Sequence, residues 1–147
     1  MDTISIVERD MTPSELTRLR VGFEQAALER GIGIESSERF GVVALDGAEF
    51  VGAASALAYK NGTEYTGWCY LTDLYVERPY RGRGHGTELL EALERALRRS
   101  GVRWIWTWTG SHEAPRFYAT HGYVVFAELE AWYSDGGSRI GLRKDLE

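Results

Sequence analysis

The residues best suited to chemistry lie between Leu71 and Leu97. Arg81, Gly82, Arg83, Gly84, His85 and Gly86 form a short glycine–arginine loop. A β-type run ending Leu74-Tyr75-Val76 precedes it, and Pro79 marks the turn between them. From Gly84 to Ser100 the pattern is helical, with Leu89, Leu90, Leu93, Ala96 and Leu97 on one stripe. The first turn of any helix offers unpaired N–H groups and partial positive charge. Glycines let a bulky anion come close to the backbone, and arginines add forked cationic donors. A phosphate-binding loop is the chemistry this arrangement suits.

Two common phosphate patterns do not fit. A P-loop needs a lysine after its last glycine, and none follows a glycine here. The dinucleotide spacing G-x-G-x-x-G would place a third glycine at position 87, which is Thr87. The stretch Val102 to Trp106 also lacks the acid that pattern expects about 20 residues on.

The spacing that does fit is Arg-x-x-Gly-x-Gly, at Arg81, Gly84 and Gly86. Following Leu74-Tyr75-Val76, it resembles the coenzyme A motif of the GCN5-related N-acetyltransferase superfamily. Ala114-Pro115-Arg116-Phe117-Tyr118 and Gly122-Tyr123 resemble the second signature of that family. The resemblance implies an α+β fold: a mixed, mostly antiparallel sheet of about seven strands, helices on both faces, and a splayed pair of central strands. It implies acetyl-CoA as co-substrate and a primary amine of a small molecule or peptide as acceptor, attacking directly. Leu74, Tyr75 and Val76 would hold the pantetheine arm. The loop of Arg81, Gly82, Arg83, Gly84, His85, Gly86 and Thr87 would take the pyrophosphate. Tyr118 matches the tyrosine that protonates the departing thiolate. Asp73 is the candidate base or amine-binding anion, with His112 and Glu113 as alternatives. The asparagine expected three residues before the alanine is Ser111 here. A CoA-binding sensor or interaction module without turnover is the rival reading.

Composition sets the outer bounds. The chain has 147 residues and a net charge of −5, from 17 basic and 22 acidic residues. One domain over 1–147 is expected. The acidic balance speaks against bulk nucleic-acid or anionic-membrane binding. No apolar run reaches the roughly 20 residues a transmembrane helix requires. Met1 to Met11 alternates and carries acids, so no signal peptide is expected. The single cysteine, Cys69, can form no intrachain disulfide, and a cytoplasmic setting follows. Three scattered histidines and one cysteine give no metal-ligand spacing.

The elements that must position these residues can be read from periodicity. Thr3 to Glu8 alternates Ile4 and Ile6 with polar residues and predicts a first strand. Thr12-Pro13-Ser14-Glu15 predicts a capped helix ending near Gly31. Strands are predicted over Phe40–Leu45, Glu49–Tyr59, Thr66–Val76, Val102–Thr107, Tyr123–Leu129 and Arg139–Arg143. Asp46-Gly47 is a hairpin turn. Ser111 or a neighbour is expected to cap a short helix through His121. Trp104, Trp106 and Trp108 share one strand face, expected to pack against a helix. Trp68, Tyr70 and Trp132 are alternatives for an acceptor wall. So are the regions Phe23 to Phe40 and Trp132 to Arg139, with Glu24, Glu29, Glu35 and Glu38. His85 is expected to face solvent, and His121 to end its helix. Self-association, if it occurs, is expected through the last strands.

Overall fold

The computed structural model describes residues 3–112 and 114–147. Helix α1 runs Pro13–Glu29, followed by strands β1 (Glu35–Asp46), β2 (Glu49–Asn61) and β3 (Glu64–Val76). A single 3-10 turn, Arg78–Tyr80, leads to α2 (His85–Arg99). Then come β4 (Trp104–Gly110), α3 (Pro115–Thr120), β5 (Val124–Leu129) and β6 (Arg139–Asp145). The six strands form one sheet in the order β1-β2-β3-β4-β6-β5. Every neighbouring pair is antiparallel except β3 and β4.

Local chemistry explains the elements. Thr12 and Glu15 form a capping box at the start of α1, with Pro13 in its first turn. Gly31, at φ 77°, ends that helix. The β1–β2 hairpin turns at Gly47, where φ is 59°. α2 has the strong apolar stripe that the sequence predicts. Leu89, Leu90, Leu93 and Leu97 are buried against Ala54, Ala56, Ala58, Cys69, Leu71, Ile105 and Leu142. Tyr118 of α3 and Tyr123 join the same core, so α2 and α3 cover one side of the sheet. α1 flanks the opposite side near Tyr59, across an open groove.

Four expectations need correction. Six strands are present among the described residues, not about seven, because Thr3 to Glu8 pairs with no strand. Its Ile4 and Ile6 are exposed, so the alternation has no sheet edge to serve. β4 begins and ends later than expected, at Trp104 and Gly110. Its tryptophans do not pack on a helix: Ile105, Thr107 and Thr109 take the buried face, and the tryptophans lie half-buried on the other. Ser111 caps no helix. α3 starts at Pro115, with Ala114 at its N-cap giving no side-chain bond, and Ser111 Oγ instead accepts from Ser138 N–H at 2.9 Å.

One buried polar cluster was not foreseen. Glu94 sits in the apolar stripe of α2 yet is buried. Its carboxylate accepts from Tyr123 Oη at 2.7 Å and from Lys144 Nζ at 2.8 Å, with Arg98 at 3.6 Å. The pair ties α2 to β6 and to the segment after α3. Burial and the neighbouring carboxylate push the Tyr123 hydroxyl well above its usual pKa. Burial also pushes the Cys69 thiol up to about 12.

Removing Lys144 would leave Glu94 as a buried charge held only by Arg98 and Tyr123. Lys144→Met should therefore destabilise the fold by about 3 kcal/mol in urea unfolding. An effect below ~0.5 kcal/mol would show that the pair is not needed. Cys69 should not react with a thiol reagent at pH 8 in the folded protein, and should react once unfolded.

Candidate functional site

The site begins where two strands part. β3 and β4 pair only through Trp68–Trp104, Cys69–Ile105 and Tyr70–Trp106. At that level β3 is bulged: Ser55 of β2 faces Asp73 and Ala56 faces Leu71, leaving Thr72 extra. The bulge bends β3 and shifts its side-chain phase by one. Cys69 and Leu71 enter the core before it, and Leu74 and Val76 after it. Asp73 and Tyr75 consequently point to the other face, where they are exposed. Thr107 Oγ1 donates to the Leu71 carbonyl at 3.0 Å, satisfying a strand oxygen that β4 no longer reaches.

Beyond the split lies a gap of about 320 Å³ lined by Leu71 to Tyr75, Thr107 to Thr109, Ala114, Phe117 and Tyr118. Glu77 N–H donates to the Val51 carbonyl at 2.8 Å. Antiparallel pairs alternate between bonded and non-bonded. Tyr75 and Asp73 therefore direct their backbone groups to β2, while Leu74 and Val76 direct theirs into the gap. The Leu74 groups and the Val76 N–H are ready-made partners for an extended amide-bearing chain, the Val76 carbonyl being taken by Arg81.

The glycine loop forms the second half of the site. A cavity of about 340 Å³ is lined by Val76, Tyr80, Arg81, Gly82, Gly84, His85, Gly86, Thr87 and Phe117. Phe117 lines both cavities, so the strand gap and the loop share a wall. Gly84 caps α2 in the left-handed region, φ 86°, with no side chain over the helix end. A Cβ at Gly82 or Gly84 would meet nothing within 4 Å, so both glycines keep the mouth of the helix open. The glycines serve conformation and access, which is the form a backbone anion cradle takes.

The structure brings most of the expected residues together. Leu74 and Tyr75 line the gap, Val76 the cradle, and Asp73 and Tyr118 the gap's walls. Asp73 is exposed, and Tyr118 is buried between the Phe117 and Tyr123 rings, at 5.4 and 5.3 Å. Arg81 has a structural duty. Its Nε–H donates to the Val76 carbonyl at 2.8 Å, fastening the loop to the strand end. Arg83 lies over the Tyr80 ring at 5.5 Å and is not part of the cavity wall. His85 opens α2, half-buried, 3.3 Å from Glu88. His112 stands edge-on to Tyr133 at 5.1 Å, away from the gap lining. Glu113 lies outside the described residues.

Several contributors were not visible beforehand. Tyr80 Oη donates to Asp46 Oδ2 at 2.7 Å, so the β1–β2 hairpin braces the loop. Thr87 Oγ1 and His121 Nε2 lie 2.9 Å apart, linking the cradle helix to the end of α3. Both join residues 34 apart in sequence, and no local pattern announces them. On the exposed sheet face, Trp68, Trp106, Trp108, Phe126 and Arg143 form a trough of about 360 Å³. Gly141 makes room for it: a Cβ there would lie 2.9 Å from both Trp108 and Phe126. Trp108 also lines the strand gap, which makes trough and gap contiguous. Arg139 spans Trp108 and Trp132 at 5.3 and 5.0 Å. No cluster of three metal-ligating side chains occurs among the described residues, and none of their helices is long and apolar enough to cross a membrane.

Parallel strands that part beside a glycine-lined helix mouth make a site suited to an extended ligand with an anionic end. The chain belongs to the acetyltransferase (GNAT) family, whose model matches residues 6–123. Its fold is similar to that of an acetyltransferase from Bacillus cereus ATCC 14579, at 21% identity and a TM-score of 0.78, covering 95% of this chain and 97% of that one. The ribosomal-protein-S18-alanine N-acetyltransferase from Escherichia coli is similar at 16% identity and a TM-score of 0.65, over 95% of this chain and 92% of that. An aminoglycoside 6'-N-acetyltransferase complexed with coenzyme A is similar at 24% identity and a TM-score of 0.63, over 75% of this chain and 74% of that. At these identities the likeness is one of fold. None of the curated proteins compared with the chain matches it.

The open cradle yields a direct prediction. Gly84→Val places a branched side chain at a left-handed position, at a cost of roughly 1–2 kcal/mol, and at the mouth of α2. Calorimetric titration should show coenzyme A affinity falling at least tenfold in the folded variant. Unchanged affinity would remove this loop from the cofactor site.

Proposed function

We propose that this chain transfers the acetyl group of acetyl-CoA to a primary amine by direct attack. The observation that carries the reading is the continuity of the strand gap with the glycine cradle through Phe117. A ligand with a diphosphate at one end and an extended amide arm matches both halves. The N–H groups of Arg83 to Thr87 are suited to the diphosphate, and the Leu74 and Val76 backbone to the arm. The thioester then lies in the gap between Asp73 and Tyr118.

The chemistry follows from those two side chains. The amine nitrogen attacks the thioester carbonyl, a C–N bond forms and the C–S bond breaks. The carbonyl oxygen gains charge, and a gap-facing backbone N–H near Val76 stabilises it. Tyr118 gives its hydroxyl proton to the leaving thiolate. A tyrosine near pKa ~10 is closely matched to a thiolate of similar basicity. Asp73 binds the ammonium form and accepts its first proton as the amine becomes nucleophilic; the second N–H proton, lost as the amide forms, returns Tyr118 to its neutral form. Holding both reactants together supplies much of the acceleration, since effective molarities reach ~10⁵ M or more.

The acceptor approaches from the Asp73 face. The adjoining trough of Trp68, Trp106, Trp108 and Phe126 favours a flat, apolar body carrying the amine. Arg143, 4.7 Å from the Trp68 ring, favours an anionic substituent on it.

Tyr118→Phe should lower kcat about ten- to a thousand-fold while acetyl-CoA affinity stays within a factor of about two. Full activity in that variant would exclude Tyr118 as the acid. Phe126→Ala, remote from the reacting atoms, should raise KM for aromatic amines and leave KM for acetyl-CoA unchanged. If no amine in a broad panel is turned over while acetyl-CoA still binds, the sensor reading replaces this one.

A further inference from the structure

The exposed sheet face holds a cation beside Asp73 that acetyl transfer itself does not use. Phe40 and Val42 of β1 pack against the core, so Arg39 points to the opposite face, which Asp73 shares. Arg39 Nη1 donates to Ser55 Oγ at 2.5 Å and to Thr72 Oγ1 at 3.3 Å. The Thr72 hydroxyl gives its own proton to the Ser55 carbonyl at 3.0 Å, which leaves its oxygen able to accept from the arginine. The guanidinium thus reaches from β1 across β2 to β3, and stops at the residue before Asp73. The β3 bulge sets up this meeting. In a regular strand neighbouring side chains take opposite faces, but the register slip at Thr72 leaves Thr72 and Asp73 on the same one.

The two charges are neighbours that do not neutralise each other. Among the described residues, neither Arg39 nor Asp73 takes part in an ion pair. Both partners of Arg39 are neutral hydroxyls, and its Nε and Nη2 groups make no hydrogen bond among the described residues. Tying strands together needs only a donor. A full charge with a fork of spare N–H groups suits a carboxylate.

An aromatic floor begins at the same point. Tyr70, on β3 just before Thr72, stacks on Trp106 at 4.4 Å. Trp106 in turn meets Trp108 and Phe126 edge-on, at 6.1 and 6.4 Å. Thr72, Asp73 and Trp108 line one cavity, so the anion, the anchor of the cation and the ring platform converge there. Arg143 lies further down β3, over Trp68, at the outer end of the platform.

We infer that the acceptor is a free α-amino acid with an aromatic side chain. Its ammonium group rests on Asp73, its carboxylate takes the spare Arg39 N–H groups, and its ring lies on Tyr70, Trp106 and Trp108. Amine and carboxylate share one carbon, so only adjacent opposite charges can hold both, and Asp73 and Arg39 are adjacent. Arg143 meets whatever the far edge of the ring carries. Arg39 determines specificity and takes no part in bond making. The inference rests on the acetyl-transfer reading and narrows its acceptor.

The test is acetyl-CoA-dependent turnover of phenylalanine, of phenethylamine, which lacks the carboxylate, and of alanine, which lacks the ring. kcat/KM for phenylalanine should exceed each of the others at least about tenfold. Phenethylamine or alanine used as well as phenylalanine would overturn the inference while acetyl transfer stands. Turnover of other amines without phenylalanine would do the same. No turnover of any amine would overturn the acetyl-transfer reading, and this inference with it. In Arg39→Met the ratio of phenylalanine to phenethylamine should fall at least about tenfold, through KM. Both substrates meet the same folded fraction, so the ratio does not respond to lost protein. A ratio kept at the wild-type value would overturn the inference. Should the variant not fold, the wild-type comparison decides.

Discussion

Two parallel strands stop pairing after Tyr70 and Trp106, and the rest of the site depends on that separation. Parallel strands in a sheet normally stay bonded, because unpaired backbone groups are costly when buried. Here two devices make the parting tolerable. The extra residue Thr72 bends β3, and the Thr107 hydroxyl takes up the Leu71 carbonyl at the apex. Past the apex, the Leu74 and Val76 backbone faces a cavity instead of a neighbouring strand. A sheet built this way offers a ligand the hydrogen bonds that a strand would otherwise make.

The cradle depends on the same strand. β3 ends at Val76, and Arg81 returns to bond the Val76 carbonyl, so the strand end sets the loop's position. Tyr80 anchors the loop's other side to Asp46. α2 is fixed from below by its leucines and by the Glu94–Lys144 pair. The open helix mouth is therefore held by core packing and needs no ligand to form. Preorganised N–H groups of this kind lose little on binding an anion, since their orientation cost is already met by the fold.

Much of this was legible in the sequence, because the cradle is a local feature. Gly84, Gly86 and the apolar period of α2 are neighbours in the chain, and their roles follow from backbone freedom and helix ends. The hairpin at Asp46-Gly47 and the capping box at Thr12 were equally local. What escaped was set by distant contacts. The alternation of Ile4 and Ile6 predicts a strand, but a strand needs an edge, and no period reveals whether one is within reach. The tryptophans of β4 show their common face, but only the packing of α2 on the other side decides which face is solvent. The bulge at Thr72 leaves no mark in sequence, although it alone determines that Asp73 faces away from the core. Glu94 breaks the apolar stripe of α2 for partners about 30 and 50 residues further on.

The central claim is that the glycine loop and the parted strands together hold one molecule of acetyl-CoA. A crystal structure of the protein with coenzyme A tests it most directly. The account predicts the diphosphate within hydrogen-bond distance of the Arg83 to Thr87 amides, the pantetheine arm bonded to the Leu74 and Val76 backbone, and the sulfur within reach of the Tyr118 hydroxyl. A well-ordered cofactor bound elsewhere, or one whose sulfur points away from the gap between β3 and β4, would contradict it.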